Sequence, residues 1–396
     1  MQVKLENLKW RPFWASYIGA LKGCLDFLNI RMSDSWLSGG VGHAFVLNIN
    51  KNVSAAGPTA WNNEMTRLLG HNLGFNVNSV SAWKNDPQFE TKQRLAWETV
   101  KRSLEKGIPC LGWELGIAEY YVVNGYNQYG YFYSGIGTAD YLFDLENDWK
   151  QDLEIGVFSE KMRQALLLRG LTLSTNVQIY MRFGCWIIKD VEDGREFSVL
   201  EDNKGRLMFH GEYNISQAFK PWDQLGRSSI GLLELYTVEP AYLSNDPAIV
   251  KEALEFAIEY GQGPRKWVKE GFNSGLQGYE TWRYALDNRC ADGFGVAYNA
   301  SFWQECRTLA AQFLVEAADR IGGENAIQLY EAAKWYDEVS QELKFVAEKF
   351  PFHQRSPEHI RDGDALDQAS HALGRAQRAE QQGMERIKRL VDNLLK

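Results

Sequence analysis

His43 follows Ser38-Gly39-Gly40-Val41-Gly42 and heads the apolar run Ala44 to Ile49, so it is expected to open a buried strand and present its ring to a cleft. Imidazole is the side chain best poised for proton transfer near neutral pH; the competing reading is a hydrogen-bonded turn histidine. Glu114 and Glu119 bracket Leu115-Gly116-Ile117-Ala118. Two carboxylates sharing one cleft would raise each other's pKa or hold a cationic ligand; otherwise they are ordinary surface acids. Trp113, Tyr120, Tyr126 and Tyr133 would wall such a cleft or pack across strands. Tyr279, Trp282 and Arg283, in GLQGYETWRYAL, would cap it from a helix or pack between domains. Cys24 reads as a small core hydrophobe rather than a nucleophile.

Other chemistries are set aside by spacing. The five cysteines have no CxxC pair, and His353 and His359 lie six apart in a proline-containing stretch, which does not suit a helical zinc pair. No GxGxxG, Walker A or GxSxG sequence occurs, which removes the simplest nucleotide-binding and α/β-hydrolase readings. Neither a metal nor a cofactor is expected.

These residues must be positioned by regular elements. Trp14 to Leu28 places Ile18, Leu21, Leu25 and Leu28 at helical spacing, with Ser16 where an N-terminal cap would sit. Residues 59–70 and 88–106 also read as helices, and Ile108 to Trp113 as a short strand. YYVVNGYNQYGYFYSG predicts a hairpin that turns over Asn127 to Gly130. A polar, amphipathic stretch at about 140–180 interrupts the strands and reads as a helical insertion. Strands resume in CWIIKDVEDGREFSVLEDNKGRLMFHG, where Asp-Gly and Lys-Gly mark turns. Beyond Pro240 the pattern is helical: 247–260, 276–288, 300–320, 324–350 and 363–395.

Length and composition bound the rest. A chain of 396 residues exceeds the usual size of one core, so two packed units with a cleft between them are expected. A net charge of -8 without a basic stripe argues against nucleic acid. No apolar run reaches membrane-spanning length, and MQVKLENLKWRPFW lacks the plan of a signal peptide. With an odd number of scattered cysteines, this leads to the expectation of a reduced, cytoplasmic protein.

Two segments carry a family resemblance. SYIGALKGCLDFLNI, through Ala20-Leu21, Leu25, Leu28 and Ile30, resembles the first helix of the papain-like bacteriocin-processing cysteine peptidases. GIPCLGWELGIAEYYVVNGYNQYGYFYSG, through Val122, Val123, Gly125, Tyr126 and Asn127, resembles their second block, where a histidine precedes a hydrophobic strand. SGGVGHAF and the helical tail are closer to the family of butirosin biosynthesis protein H, N-terminal domain, an acyl-transfer relative of those peptidases. The resemblance covers about the first 135 residues and extends to the return strands up to 240.

It implies an α+β fold: a papain-like unit over 1–240 with its insertion near 140–180, then an all-helical unit over 245–396. In this register Ser16 takes the place of the catalytic Cys, Glu119 that of the His, and Ser134 falls near the orienting Asp. A serine needs a base active near neutrality, and a carboxylate becomes one only when burial raises its pKa. Two functions follow. In the first, the chain transfers or hydrolyses an acyl or amide group of a small molecule, with Ser16 as nucleophile, His43 or Glu119 moving the proton, amides near Tyr17 holding an oxyanion, and Trp113, Glu114, Tyr120, Tyr279 and Trp282 contacting substrate. In the second, it is a catalytically inactive relative that binds a small ligand or a peptide. Expected partners are a small-molecule or acyl/peptide substrate, no nucleic acid and no membrane, with a homo-oligomer through 363–396 as a further option.

Overall fold

The computed structural model describes residues 3–136, 143–144, 149–167, 172–182, 185–201, 207–212, 218–352 and 359–391. The fold is α+β, with long helices filling the C-terminal part. In chain order, β1 (Val3–Lys4) leads to α1 (Ser16–Phe27), which starts where Ser16 was read as a capping residue. Next comes α2 (Asp34–Gly40), whose N-cap Ser33 accepts the Trp36 amide. Here the structure corrects the sequence reading: His43 opens no strand. Gly42, at φ +76°, turns the chain into a 3-10 turn, His43–Phe45, closed by the Val46 amide on the His43 carbonyl. The strand β2 covers only Asn48–Asn50.

The helix read at 59–70 shortens to α3 (Glu64–Gly70), and β3 (Leu73–Trp83) is a strand that the sequence reading left unassigned. Then come α4 (Phe89–Glu105), β4 (Cys110–Trp113), β5 (Tyr120–Tyr126), β6 (Gly130–Ser134) and β7 (Phe143–Asp144). The insertion holds two helices, α5 (Trp149–Glu154) and α6 (Glu160–Leu167), and reaches further than expected. The strands β8 (Val177–Arg182), β9 (Cys185–Asp190), β10 (Glu196–Glu201) and β11 (Leu207–Glu212) join β7 in a separate five-stranded sheet. The reason lies in the two-residue alternation: Trp186 and Ile188, Phe197 and Val199, and Leu207 and Phe209 form one apolar face, on which Trp149, Leu153, Met162 and Leu166 pack.

The strands β12 (Ala218–Pro221) and β13 (Leu232–Leu243) return to the main seven-stranded sheet, ordered β12-β6-β5-β4-β13-β3 with β1 added on β5. The helix α4 lays Phe89, Ala96, Trp97, Val100 and Leu104 on one of its faces, against Cys110, Tyr121, Val123 and Leu235. The remaining elements are α7 (Asp246–Gly261), β14 (Phe272–Ser274), which pairs with β2, α8 (Gly275–Asp287), α9 (Gly293–Ile321), α10 (Gly323–Lys349) and α11 (Gly363–Val391).

Contacts divide the chain into two compact units whose membership is interleaved rather than cut once near residue 240. Unit 1 comprises Met1–Pro12, Gly19–Phe27 and Ser79–Thr237; unit 2 comprises Phe13–Ile18, Leu28–Asn78 and Val238–Lys396. The physical reason for the second grouping is visible in unit 2: α2 and the His43 turn pack on α9, and β2 pairs with β14, so 28–78 belongs with the helices. Among the described residues, no helix is long and apolar enough to cross a membrane.

Candidate functional site

The centre of unit 2 is built by three consecutive residues of α9, Glu305, Cys306 and Arg307. The helix starts at Asp292, whose carboxylate accepts the Gly295 amide, and its apolar stripe runs through Trp303, Cys306, Ala310 and Leu314. Successive helical side chains point about 100° apart, so the three residues reach different neighbours. Glu305 Oε2 accepts the backbone amides of Trp14 at 2.8 Å and Ala15 at 3.4 Å, the two residues that lead into Ser16. Cys306 Sγ lies 3.8 Å from His43 Nδ1. Arg307 donates through Nη1 to the carbonyls of Ala44 (3.0 Å) and Val46 (2.7 Å), either side of Phe45. Its Nε and Nη2 grip the two oxygens of Glu380 at 2.8 and 2.6 Å, and Tyr279 donates its hydroxyl to the same carboxylate at 2.6 Å.

Burial sets the charge states. The interior disfavours the imidazolium of His43, and the nearby Arg307 guanidinium adds repulsion, so its pKa falls to about 4. His43 is therefore neutral near pH 7. Burial pushes the Cys306 thiol up, and the Glu305 carboxylate pushes the same way against a smaller opposing pull from Arg307. The pair is thiol with imidazole, not the thiolate and imidazolium of an activated nucleophile. Burial also disfavours the Arg307 charge, but Glu380 more than offsets it and keeps the guanidinium protonated. The guanidinium is thus matched to both oxygens of Glu380 and to two backbone carbonyls.

Ser16 is the first residue of α1 and is buried, as is Tyr17 beside it. Tyr279 and Trp282 sit one turn apart on α8, both fully buried. Thus Ser16, Tyr17, His43, Tyr279 and Trp282 all belong to unit 2, and the residues before Ser16, together with His43, are tied to the same turn of α9.

Trp113, Glu114, Glu119 and Tyr120 belong to unit 1, at the turn between β4 and β5. Trp113 and Tyr120 are direct cross-strand partners with ring centroids 4.9 Å apart. Glu114 adopts φ +55°, a left-handed conformation, held by its amide donating to the Glu119 carbonyl at 2.9 Å. Its carboxylate accepts Ser228 Oγ at 2.6 Å, and Tyr120 donates its hydroxyl to Glu234 at 2.5 Å. Ile117, at the tip, is 61% exposed. Tyr126 donates to Glu105, Tyr133 packs in the sheet core, and Ser134 accepts from Asn124 at 2.6 Å. Cys24 is fully buried, with its thiol on the Cys110 carbonyl and its pKa raised by that burial.

Of the residues nominated from the sequence, His353 lies outside the described residues, and of His359 only the backbone, which opens a 3-10 turn, is described. No group of three or more His, Cys, Asp or Glu able to hold a metal occurs among the described residues. The residues that the sequence reading missed are Glu305, Arg307 and Glu380. Two of them leave a signal: Arg307 interrupts the apolar stripe of α9, and Glu380 interrupts that of α11, between Ala376 and Gly383. Single charges of opposite sign on two apolar stripes are the mark of a buried ion pair. In comparison with known proteins, the chain matches no family model, and no curated protein matches it significantly.

Proposed function

We propose that this chain is a papain-like relative of butirosin biosynthesis protein H that binds a small acyl- or amide-bearing molecule without turning it over. The observation that carries this reading is the engagement of the candidate centre by α9: Glu305 holds the amides before Ser16, and Cys306 faces a buried, neutral His43. A base with a pKa of about 4 is almost fully deprotonated at pH 7 yet too weak to draw a proton efficiently from a serine hydroxyl. The acyl-transfer reading keeps one support of its own. Ser16 starts α1 and Glu119 immediately precedes β5, the element positions at which the resembling peptidases carry Cys and His.

A thermal-shift panel of small N-acyl amides, carboxylates and thioesters, with products followed by mass spectrometry, separates the two. Saturable stabilisation with no product is expected. Turnover that is lost in Ser16→Ala, His43→Ala or Glu119→Ala would establish acyl or amide transfer in place of binding.

A further inference from the structure

Away from the α9 centre, unit 2 holds a cavity of about 430 Å³ between α3 and α7, within the size range of small-molecule sites. Its lining follows from helical spacing. Glu252, Glu255, Phe256 and Glu259 recur three or four residues apart and share one face of α7, while Met65 and Leu69, four apart, line it from α3. Leu69 and Phe256 are buried and form an apolar floor, and the carboxylates stand at the rim. Lys251 pairs with Glu255 at 3.5 Å and Lys266 with Glu259, whereas Glu252 takes the neutral side-chain amide of Asn72 at 2.7 Å. Three carboxylates thus meet two lysines, which suits a further cation at Glu252.

A second observation lies behind the floor. Phe256 packs on Tyr260 and on Trp267, each with ring centroids 5.7 Å away. Both rings are buried, and Tyr260 Oη and Trp267 Nε1 have no hydrogen-bond partner among the described residues. Buried polar atoms in native proteins are nearly always paired, so these two donors favour an acceptor oxygen from outside the chain. We propose that the groove binds a small amino alcohol. Its ammonium rests on Glu252, its apolar body lies along Met65 and Leu69, and its oxygen accepts from Tyr260 and Trp267 once the Phe256 ring turns aside. The site goes beyond the acyl-binding reading and does not depend on it. Nothing covalent is exchanged.

Aminohexanol, hexylamine and hexanol titrated into the full chain by calorimetry, with the Met65 methyl resonance followed in methyl-labelled methionine samples, test this. Aminohexanol should bind saturably and move the Met65 methyl. Hexylamine and hexanol each lack one end and should bind at least about fivefold more weakly, the scale of one exposed ion pair or one hydrogen bond. Glu252→Gln, at an exposed position, should lower aminohexanol to the level of hexanol, and Tyr260→Phe should lower it to that of hexylamine. Should Tyr260→Phe fail to fold, the wild-type preference for aminohexanol over hexylamine decides in its place. No saturable binding, binding that leaves the Met65 methyl unmoved, or an affinity indifferent to Glu252→Gln would overturn the site. Hexylamine bound as tightly as aminohexanol would overturn the inner oxygen contact.

Discussion

The α9 centre and the β4–β5 turn are made of the same kinds of side chain, carboxylates, aromatic rings and a hydroxyl, yet they carry opposite electrostatic consequences. At the α9 centre His43 and Cys306 are sealed and stay uncharged, and the buried charges of Arg307 and Glu380 satisfy each other. At the turn, Glu114 takes a neutral donor, Ser228, beside an exposed tip. The lesson is that chemical potential in a residue list is set by burial: an imidazole beside a thiol suggests catalysis on paper, and the interior converts it into a packing contact. Glu305, half-buried, instead spends its carboxylate on the backbone amides of Trp14 and Ala15.

The largest effect expected from breaking this contrast is at the ion pair. Arg307→Met leaves Glu380 buried without its cation and should cost about 3–5 kcal/mol in urea unfolding. Replacing both partners by apolar residues, Arg307→Met with Glu380→Leu, should recover most of that loss, because the uncompensated charge is gone. A double variant as unstable as the single one would mean that the carbonyls of Ala44 and Val46, rather than Glu380, are what Arg307 chiefly serves.

Acid should act next. His43 titrates near 6.5 when unfolded and about 4 when folded, so its contribution is fully present above pH 6.5 and is lost as the pH falls toward 4. The difference between those two pKa values corresponds to about 3 kcal/mol over that window. His43→Gln should flatten the stability profile between pH 6.5 and 4; an unchanged slope would assign the acid sensitivity elsewhere. Smallest of all, Tyr120→Phe at the turn removes one hydrogen bond to Glu234 and should cost about 1–2 kcal/mol in urea unfolding. A loss as large as that of Arg307→Met would put the turn on the same footing as the core.

Much of the framework was legible in the sequence because it depends on local periodicity. The start of α1 at Ser16, the hairpin of β5 and β6, α4, and the five C-terminal helices α7 to α11 follow from three-four or two-residue spacing. Three features did not. The run from Ala44 to Ile49 has the apolar content of a strand, but Gly42 turns the chain and Arg307 claims the carbonyls of Ala44 and Val46, so a 3-10 turn forms there first. The five-stranded sheet was hidden because its strands read as a return to the main sheet, and only their shared core with Trp149 and Met162 separates them. For the candidate site, the sequence named Ser16, His43 and Tyr279 but not what lies around them, since the contacts of Glu305 with Trp14, Cys306 with His43 and Arg307 with Ala44 join segments more than 250 residues apart, and that of Tyr279 with Glu380 spans 101. Such pairings leave no local pattern beyond a charge on an apolar stripe.

Under the proposed binding function, Ser16 forms no covalent intermediate. Incubation with an activated acyl donor, an N-acetylcysteamine thioester, followed by intact-mass analysis and peptide mapping, tests it most directly. Ser16 should remain unmodified at every time point, in wild-type protein and in Glu305→Ala alike. An acyl group on Ser16 that is absent in Ser16→Ala would contradict it and make the chain an acyltransferase or amide hydrolase.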